Sequence, residues 1–264
     1  MDIKSLEPDL MKAAIDAARE AGGILQDWTT RFSVSEKGPQ DLVTDADFAS
    51  QKAILSSLQG KFPDHQFLGE EGLSQTDGDS PFRWIIDPLD GTSNYVHRFP
   101  FYAVSIGLTY EGQPYLGVIY DPTRDEMFTG IVGTGAYCND VEMKLTTSTP
   151  LSEALVVASL PRCADYSDPA VKRFLNVLPL AQHLQRTGSA ALNLAYVAAG
   201  RLDGFWSTSL KPWDQAGGAA ILLAAGGVVT RLNGDPFHVD HPDLLACSDE
   251  QLRNDLTAQL CVVD

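Results

Sequence analysis

The chain has 264 residues, 44% of them hydrophobic, 9% aromatic and 20% charged, a globular balance that excludes disorder and leaves room for one large domain or two small ones. Nineteen Lys and Arg stand against 35 Asp and Glu, and the net charge of −16 repels nucleic-acid backbones and anionic membranes alike. An anionic substrate would need neutralising by something other than side-chain cations, and metal ions are the available means.

Met1 to Leu10 mixes charges with isolated apolar residues and lacks the apolar core of a signal peptide, so a cytoplasmic protein is expected. An apolar stripe of Leu10, Ala14, Ala18, Ala21, Leu25 and Trp28 then predicts an amphipathic helix, with Pro8 suited to its first turn. Thr44 and Asp45 cap a second helix that carries Phe48, Leu55 and Leu58 inward and ends near Gly60. Strands are expected at Gln66 to Gly69, Arg83 to Asp87, Ala103 to Tyr110, Tyr115 to Tyr120 and Glu126 to Ile131. Turn signals at Glu111-Gly112, Asp121-Pro122 and Gly133 to Gly135 make the later ones an antiparallel meander.

From about residue 150 strands and helices alternate. Strands at Leu155 to Ser159, Gly204 to Trp206, Val228 to Thr230 and Leu244 to Cys247 interleave with helices at Pro169 to Leu178, Ser189 to Ala199, Asp214 to Gly226 and Asp249 to Leu260. Ser148-Thr149-Pro150 is the best boundary, dividing an N-terminal α+β half (1–150) from a C-terminal α/β half (151–264). Gly217 to Val229, the longest weakly polar run, falls short of the ~20 apolar residues that span a bilayer. Cys138, Cys163, Cys247 and Cys261 form no ligand spacing and read as reduced, mostly buried thiols.

Chemistry concentrates in Trp84-Ile85-Ile86-Asp87-Pro88-Leu89-Asp90-Gly91-Thr92-Ser93-Asn94. An apolar strand delivers Asp87, and Pro88, with no N–H, is expected to stop the ladder there and force a turn that brings Asp87 and Asp90 together. Oxygen ligands without His or Cys favour hard ions, Mg²⁺ first. Gly91 to Asn94 offers free N–H groups and hydroxyls suited to an anion such as phosphate. Taken alone, Asp-x-x-Asp-Gly reads equally well as a polar turn. Three further acidic segments bear on the choice: Glu70-Glu71 at a strand end, Asp41, Asp45 and Asp47 at a helix start, and Asp214 after Trp213. Each alone is also explained as a surface loop or a helix cap.

Together and in this order, Asp41-Leu42-Val43-Thr44 with Asp47, Gly69-Glu70-Glu71, Trp84 to Thr92 with Asn94 to His97, and Trp213-Asp214 with Ala224 to Gly227 resemble the inositol monophosphatase family of Mg²⁺-dependent, lithium-sensitive phosphomonoesterases. The resemblance covers nearly the whole chain. It implies a layered αβαβα sandwich of the α/β (α+β) class, with an antiparallel sheet and a second, mixed sheet, assembled as a homodimer. It implies that Glu70, Asp87 and the Leu89 carbonyl hold one Mg²⁺, that Asp87, Asp90 and Asp214 hold a second, and that Glu70 reaches a third through water. Asp47 and Thr92 would activate the attacking water, Gly91 and Thr92 would grip the phosphate, and Gly188, Ser189 and Ala190 would contact the substrate. Lys37 matches a basic residue of the family's flexible loop and reads equally as a solvated lysine.

One departure concerns specificity. Where inositol-selective members carry an acid seven positions before the last metal-binding Asp, this chain has Ser207, which can still bind a hydroxyl. Inositol 1-phosphate is the leading substrate, with histidinol phosphate, fructose 1,6-bisphosphate or a 3′-phosphonucleotide as alternatives. A regulatory partner protein that keeps the fold is the reading from another class. His97, Arg98 and Phe99 are expected in packing or domain contacts, Phe101 and Tyr102 in core or interface, His238 to His241 in a surface loop, and Asp77-Gly78-Asp79 in a turn.

Overall fold

A computed structural model of the chain describes residues 3–75, 78–146 and 149–262. The alanine stripe forms α1 (Glu7–Trp28), with Pro8 in its first turn and Leu10, Ala14, Ala18, Ala21 and Leu25 buried. A hairpin of β1 (Val34–Gly38) and β2 (Asp41–Thr44) leads into α2 (Asp45–Lys61), capped by Thr44. Leu58 is buried and Leu55 partly so, but Phe48 is 52% exposed and does not face inward as expected. The inward stripe of α2 runs instead through Ala46, Asp47, Ser50, Gln51, Ile54 and Leu58, and its polar start turns toward the acidic segments described below.

Next come β3 (Gln66–Gly69), β4 (Ser74–Gln75) and β5 (Phe82–Asp90), a short α3 (Thr92–Val96), and the meander β6 (Ala103–Tyr110), β7 (Gln113–Asp121), β8 (Glu126–Ile131), β9 (Gly135–Cys138) and β10 (Val141–Glu142). These strands make one sheet in the order β10-β9-β8-β7-β6-β5-β3-β4, antiparallel except where β3 runs parallel to β5. Pro88 does not end its strand. β5 continues to Asp90 through a break in register against β6 between Asp87 and Asp90, and a bulge is where a sheet tolerates a residue without an N–H.

The second half supplies β11 (Leu155–Ser159), α4 (Pro169–Val177), β12 (His183–Gln185), α5 (Ala190–Ala198), β13 (Gly204–Ser207), α6 (Pro212–Ala224), β14 (Val228–Thr230), β15 (Leu244–Cys247) and α7 (Glu250–Leu260). Its sheet runs β12-β11-β13-β15-β14 and is mixed: β12, β11 and β13 are parallel, and β15 is antiparallel to both of its neighbours. The layers follow from alternation along the strands. Trp84, Ile86, Val104, Ile106 and Val118 pack on α1 and α2. Ala103, Ile119 and Phe128 from the other face meet α5 and α6, which in turn cover Val157, Phe205 and Ala246. Val156, Trp206, Leu245 and Cys247 face α4 and α7. The αβαβα sandwich is therefore built from three apolar interlayers.

The contact of α6 with the first sheet is unusually close. Gly107, Gly117 and Gly130 lie side by side across β6, β7 and β8, and a Cβ placed on Gly117 would come within 2.0 Å of the Gly217 carbonyl oxygen in α6. Glycines in adjacent strands form a trough that seats the helix backbone.

Several expectations are corrected. Only Cys247 is buried; Cys138 is half-buried, and Cys163 and Cys261 are exposed, because the last two lie in a loop and beyond the end of α7. His97, Arg98 and Phe99 are exposed, since α3 ends at Val96 and Arg98 takes a left-handed turn, while Phe101 and Tyr102 are buried. Asp77 and Ser148 lie outside the described residues. Among the described residues no helix is long and apolar enough to cross a membrane.

Candidate active site

The acidic segments meet at the end of β5. Oxygens of Asp87, Asp90 and Asp214 lie within 4.8 Å of one another, though the residues are separated by up to 127 positions in sequence, Asp87 to Asp214. The bulge holds the first two: the Leu89 N–H donates to Asp87 Oδ1 at 3.0 Å, and Ser50 Oγ donates to the Pro88 carbonyl at 2.9 Å. Asp90 reaches across to the second half, accepting from Ser189 Oγ and from the Ala191 N–H at 2.8 Å at the start of α5. Asp214 sits in the first turn of α6 and accepts from the Lys211 N–H at 2.6 Å. Each carboxylate is thus fixed by backbone donors at a strand end or helix start.

Crowding shows in the acidities. Burial, followed by the charges of Glu70, Asp90 and Asp214, pushes the Asp87 carboxyl well above the usual range. Asp214 is pushed up to about 8 by burial and the Asp90 charge. Asp90 rises to about 6 through burial, tempered by its hydrogen bonds from Ser189 and Ala191. Three hard oxygen ligands whose mutual repulsion a proton or a cation relieves fit a divalent ion such as Mg²⁺.

Asp47 stands behind this cluster, fully buried. Its Oδ2 accepts from the Thr44 N–H at 2.9 Å and from Thr44 Oγ1 at 2.6 Å, completing the cap of α2. Its Oδ1 faces Thr92 Oγ1 at 3.4 Å, and the Thr92 hydroxyl also lies 3.2 Å from the Leu89 carbonyl. Burial holds Asp47 up at about 7 despite the Thr44 hydrogen bonds, with the charges of Glu71 and Glu70 adding to the rise. Gly91 takes a left-handed φ of 95° at the start of α3, where a Cβ would press on the Phe101 carbonyl at 3.0 Å. Lys37, near the end of β1, bridges Glu70 and Glu71 at 2.8 Å each. Burial alone would lower its pKa, but the hydrogen bonds to Glu70 and Glu71 win and raise it.

Apart from Asp47, which lies behind Thr92, these groups border one cavity of about 780 Å³ whose wall includes Lys37, Glu70, Asp87, Leu89, Asp90, Gly91, Thr92, Gly188, Ala190 and Asp214. Ser189 and Ser207 are fully buried and lie outside the wall. Ser189 reaches the site through Asp90, and Ser207 closes β13 between β11 and β15, with its Oγ toward the Ser209 N–H at 3.4 Å. The expectation that side-chain cations are lacking here is overturned: besides Lys37, the wall carries Arg162, Arg186 and Lys211. None of the three lies in an acidic motif. The available signal was that each of two predicted strands, Leu155 to Ser159 and Gly204 to Trp206, is followed within five residues by a basic one.

A profile described as the inositol monophosphatase family matches residues 7–262. The chain belongs to this family. Inositol monophosphatase 2 of Solanum lycopersicum is 41% identical over 238 residues, 87% of this chain and 89% of that protein. Nus factor SuhB of Escherichia coli (strain K12) is 36% identical over 229 residues, covering 85% of this chain and 86% of its own. The crystal structure of extragenic suppressor protein suhB from Bartonella henselae superposes with a TM-score of 0.91 at 37% identity, covering 96% of this chain and 99% of that one. Family membership makes the chain a phosphatase of the inositol monophosphatase type, and its acidic cluster is one that could hold metal.

Proposed function

We propose that the chain is a Mg²⁺-dependent phosphomonoesterase that hydrolyses inositol 1-phosphate or a related small polyol phosphate. The observation that carries this reading is the convergence of Asp87, Asp90 and Asp214 beside Glu70 in one cavity. Glu70, Asp87 and the Leu89 carbonyl would hold one ion, Asp87, Asp90 and Asp214 a second, and Glu70 a third through water. When bound, Mg²⁺ supplies acidification of the attacking water and neutralisation of the leaving oxygen.

The remaining work falls to the chain's own residues. Phosphoryl transfer asks for alignment and charge stabilisation more than covalent help. The Thr92 hydroxyl, set between Asp47 and the Leu89 carbonyl, orients the water and passes its proton on to Asp47, whose pKa burial raises to about 7. Water adds to phosphorus as the ester P–O bond breaks, the departing alkoxide takes a proton from solvent and leaves as the alcohol, and Asp47 returns the proton it accepted to solvent. The N–H groups of Gly91 and Thr92 would hold the phosphate, Gly188 and Ala190 would border the polyol, and Ser189 would act by fixing Asp90. The test is phosphate release from inositol 1-phosphate. Turnover is expected to require Mg²⁺, to fall on adding Li⁺, and to vanish in Asp87→Asn; undiminished turnover in that variant removes the reading.

We further infer a cytoplasmic homodimer, checked by light scattering on the purified protein. The Nus factor name of the SuhB relatives favours a second reading, a partner-protein role alongside or instead of hydrolysis. A partner complex captured with wild-type protein and retained by Asp87→Asn separates the two.

A further inference from the structure

Arg162, Arg186 and Lys211 enter the cavity from three connections of the five-stranded sheet: after β11, after β12 and after β13. Those strands are mutually parallel neighbours, so the three basic residues gather at the carboxyl ends of one parallel group, where open α/β sheets bind ligands. Arg162 pairs with Asp41 on β2. Arg186 and Lys211 form no ion pair among the described residues, although the chain carries 35 acids against 19 bases. The Arg186 connection is tied down beside the phosphate-facing turn: Asn94 Nδ2 donates to the Thr187 carbonyl at 2.9 Å, and Thr187 Oγ1 donates to Asn193 Oδ1 at 2.7 Å.

A neutral polyol would give these two cations nothing of opposite charge to meet. We propose that Arg186 and Lys211 form a second anion-recognising subsite, so that the preferred substrates are phosphomonoesters carrying a further phosphate or carboxylate. This rests on the phosphatase reading above and deepens it by naming the substrate class. Arginine's planar fork suits either oxyanion, and lysine adds a point charge.

The test compares kcat/KM within two matched pairs at saturating Mg²⁺. Fructose 1,6-bisphosphate is set against fructose 1-phosphate, and 2-phosphoglycerate against glycerol 2-phosphate, so that one arm adds a phosphate and the other a carboxylate. In the wild-type protein at least one bis-anionic member should lead its partner by about tenfold, the size of one charge-assisted contact at a solvated rim. That lead should shrink as ionic strength rises. It should fall to about one in the Arg186→Gln, Lys211→Gln double variant and persist in large part in Arg186→Lys, with unchanged thermal melting showing that the variants fold. Hydrolysis with equal kcat/KM within both pairs, or a lead that the double variant keeps, overturns the subsite and leaves the phosphatase reading standing. Hydrolysis of no member of either pair, nor of inositol 1-phosphate, overturns both.

Discussion

Replacing Gly117 by alanine tests whether the glycine trough positions the site. A Cβ at Gly117 would stand 2.0 Å from the Gly217 carbonyl oxygen and 2.9 Å from its carbon, whereas Cβ contacts below 3.0 Å are essentially never seen. The obstacle is backbone, so no side chain can swing aside, and α6 must lift by about 1 Å, the difference between those distances. Overpacking of this kind costs about 1–3 kcal/mol. Asp214 rides in the first turn of the same helix, one turn before Gly217, and must move with it. A displacement near 1 Å at a reacting centre lowers turnover about 10²-fold. Denaturant unfolding should therefore show the loss in stability, while kcat/KM falls and the Mg²⁺ concentration for half-maximal turnover rises. Gly23→Ala is the control, since Gly23 lies within α1 with nothing within 4 Å of a new Cβ. It should stabilise the protein by about 0.5–1 kcal/mol and leave turnover alone. A Gly117→Ala protein with wild-type stability and Mg²⁺ dependence would refute the trough as the device that sets Asp214.

Other expectations concern charge. Asp90, Asp47 and Asp214 sit at about 6, 7 and 8 in the fold against 3.8 unfolded, so the folded chain binds protons more tightly and metal-free protein should lose stability as pH rises through that window. Melting temperatures in chelator should fall between pH 6 and pH 8, and the fall should flatten in Asp214→Asn and at saturating Mg²⁺; a rise in chelator would contradict the crowding argument. His65 stacks on Phe62 and Phe82 with ring centroids 5.0 and 4.6 Å away and accepts from Trp84 Nε1 at 3.0 Å, and burial lowers its pKa from 6.5. Its contribution is present above pH 6.5 and lost as pH falls through the lowered value, so His65→Gln should remove part of the melting-temperature drop between pH 7 and pH 5. Ser189→Ala removes both the cap of α5 and a donor to Asp90, and should cost about 1 kcal/mol in unfolding while raising the Mg²⁺ requirement several-fold.

What was legible in the sequence was whatever sat in contiguous motifs. Asp87, Asp90, Glu70 and Asp214 each lie beside a strand end or helix start that local patterning reveals, and the helices that carry them announce themselves by caps such as Thr44. The three basic residues of the wall stayed hidden because their convergence depends on the parallel order β12-β11-β13, and β12 is a three-residue strand without a strand-like pattern. Pro88 misled because absence of an N–H argues against a regular ladder but not against a bulge, and only pairing with β6 decides between them. Phe48 misled because the inward face of α2 was judged by hydrophobicity, whereas its first turn is held inward by polar contacts of Thr44 and Asp47.

The same contrast explains how two sheets come to share one site. Asp90 belongs to the first sheet by chain and by pairing, yet its carboxylate does the work of a helix cap for α5 in the second half, through Ser189 and the Ala191 N–H. Asp214 belongs to the second half, yet its helix is seated in the glycine trough of the first sheet. Each half therefore holds in place an acid of the other. A carboxylate raised by burial is unfavourable unless something fixes it there, and here the fixing contacts are the ones that join the layers. It follows that substitutions loosening the interlayer, far from the cavity, should reach the chemistry through Asp90 and Asp214 before they reach Asp47, whose anchors Thr44 and Thr92 both lie in the first half.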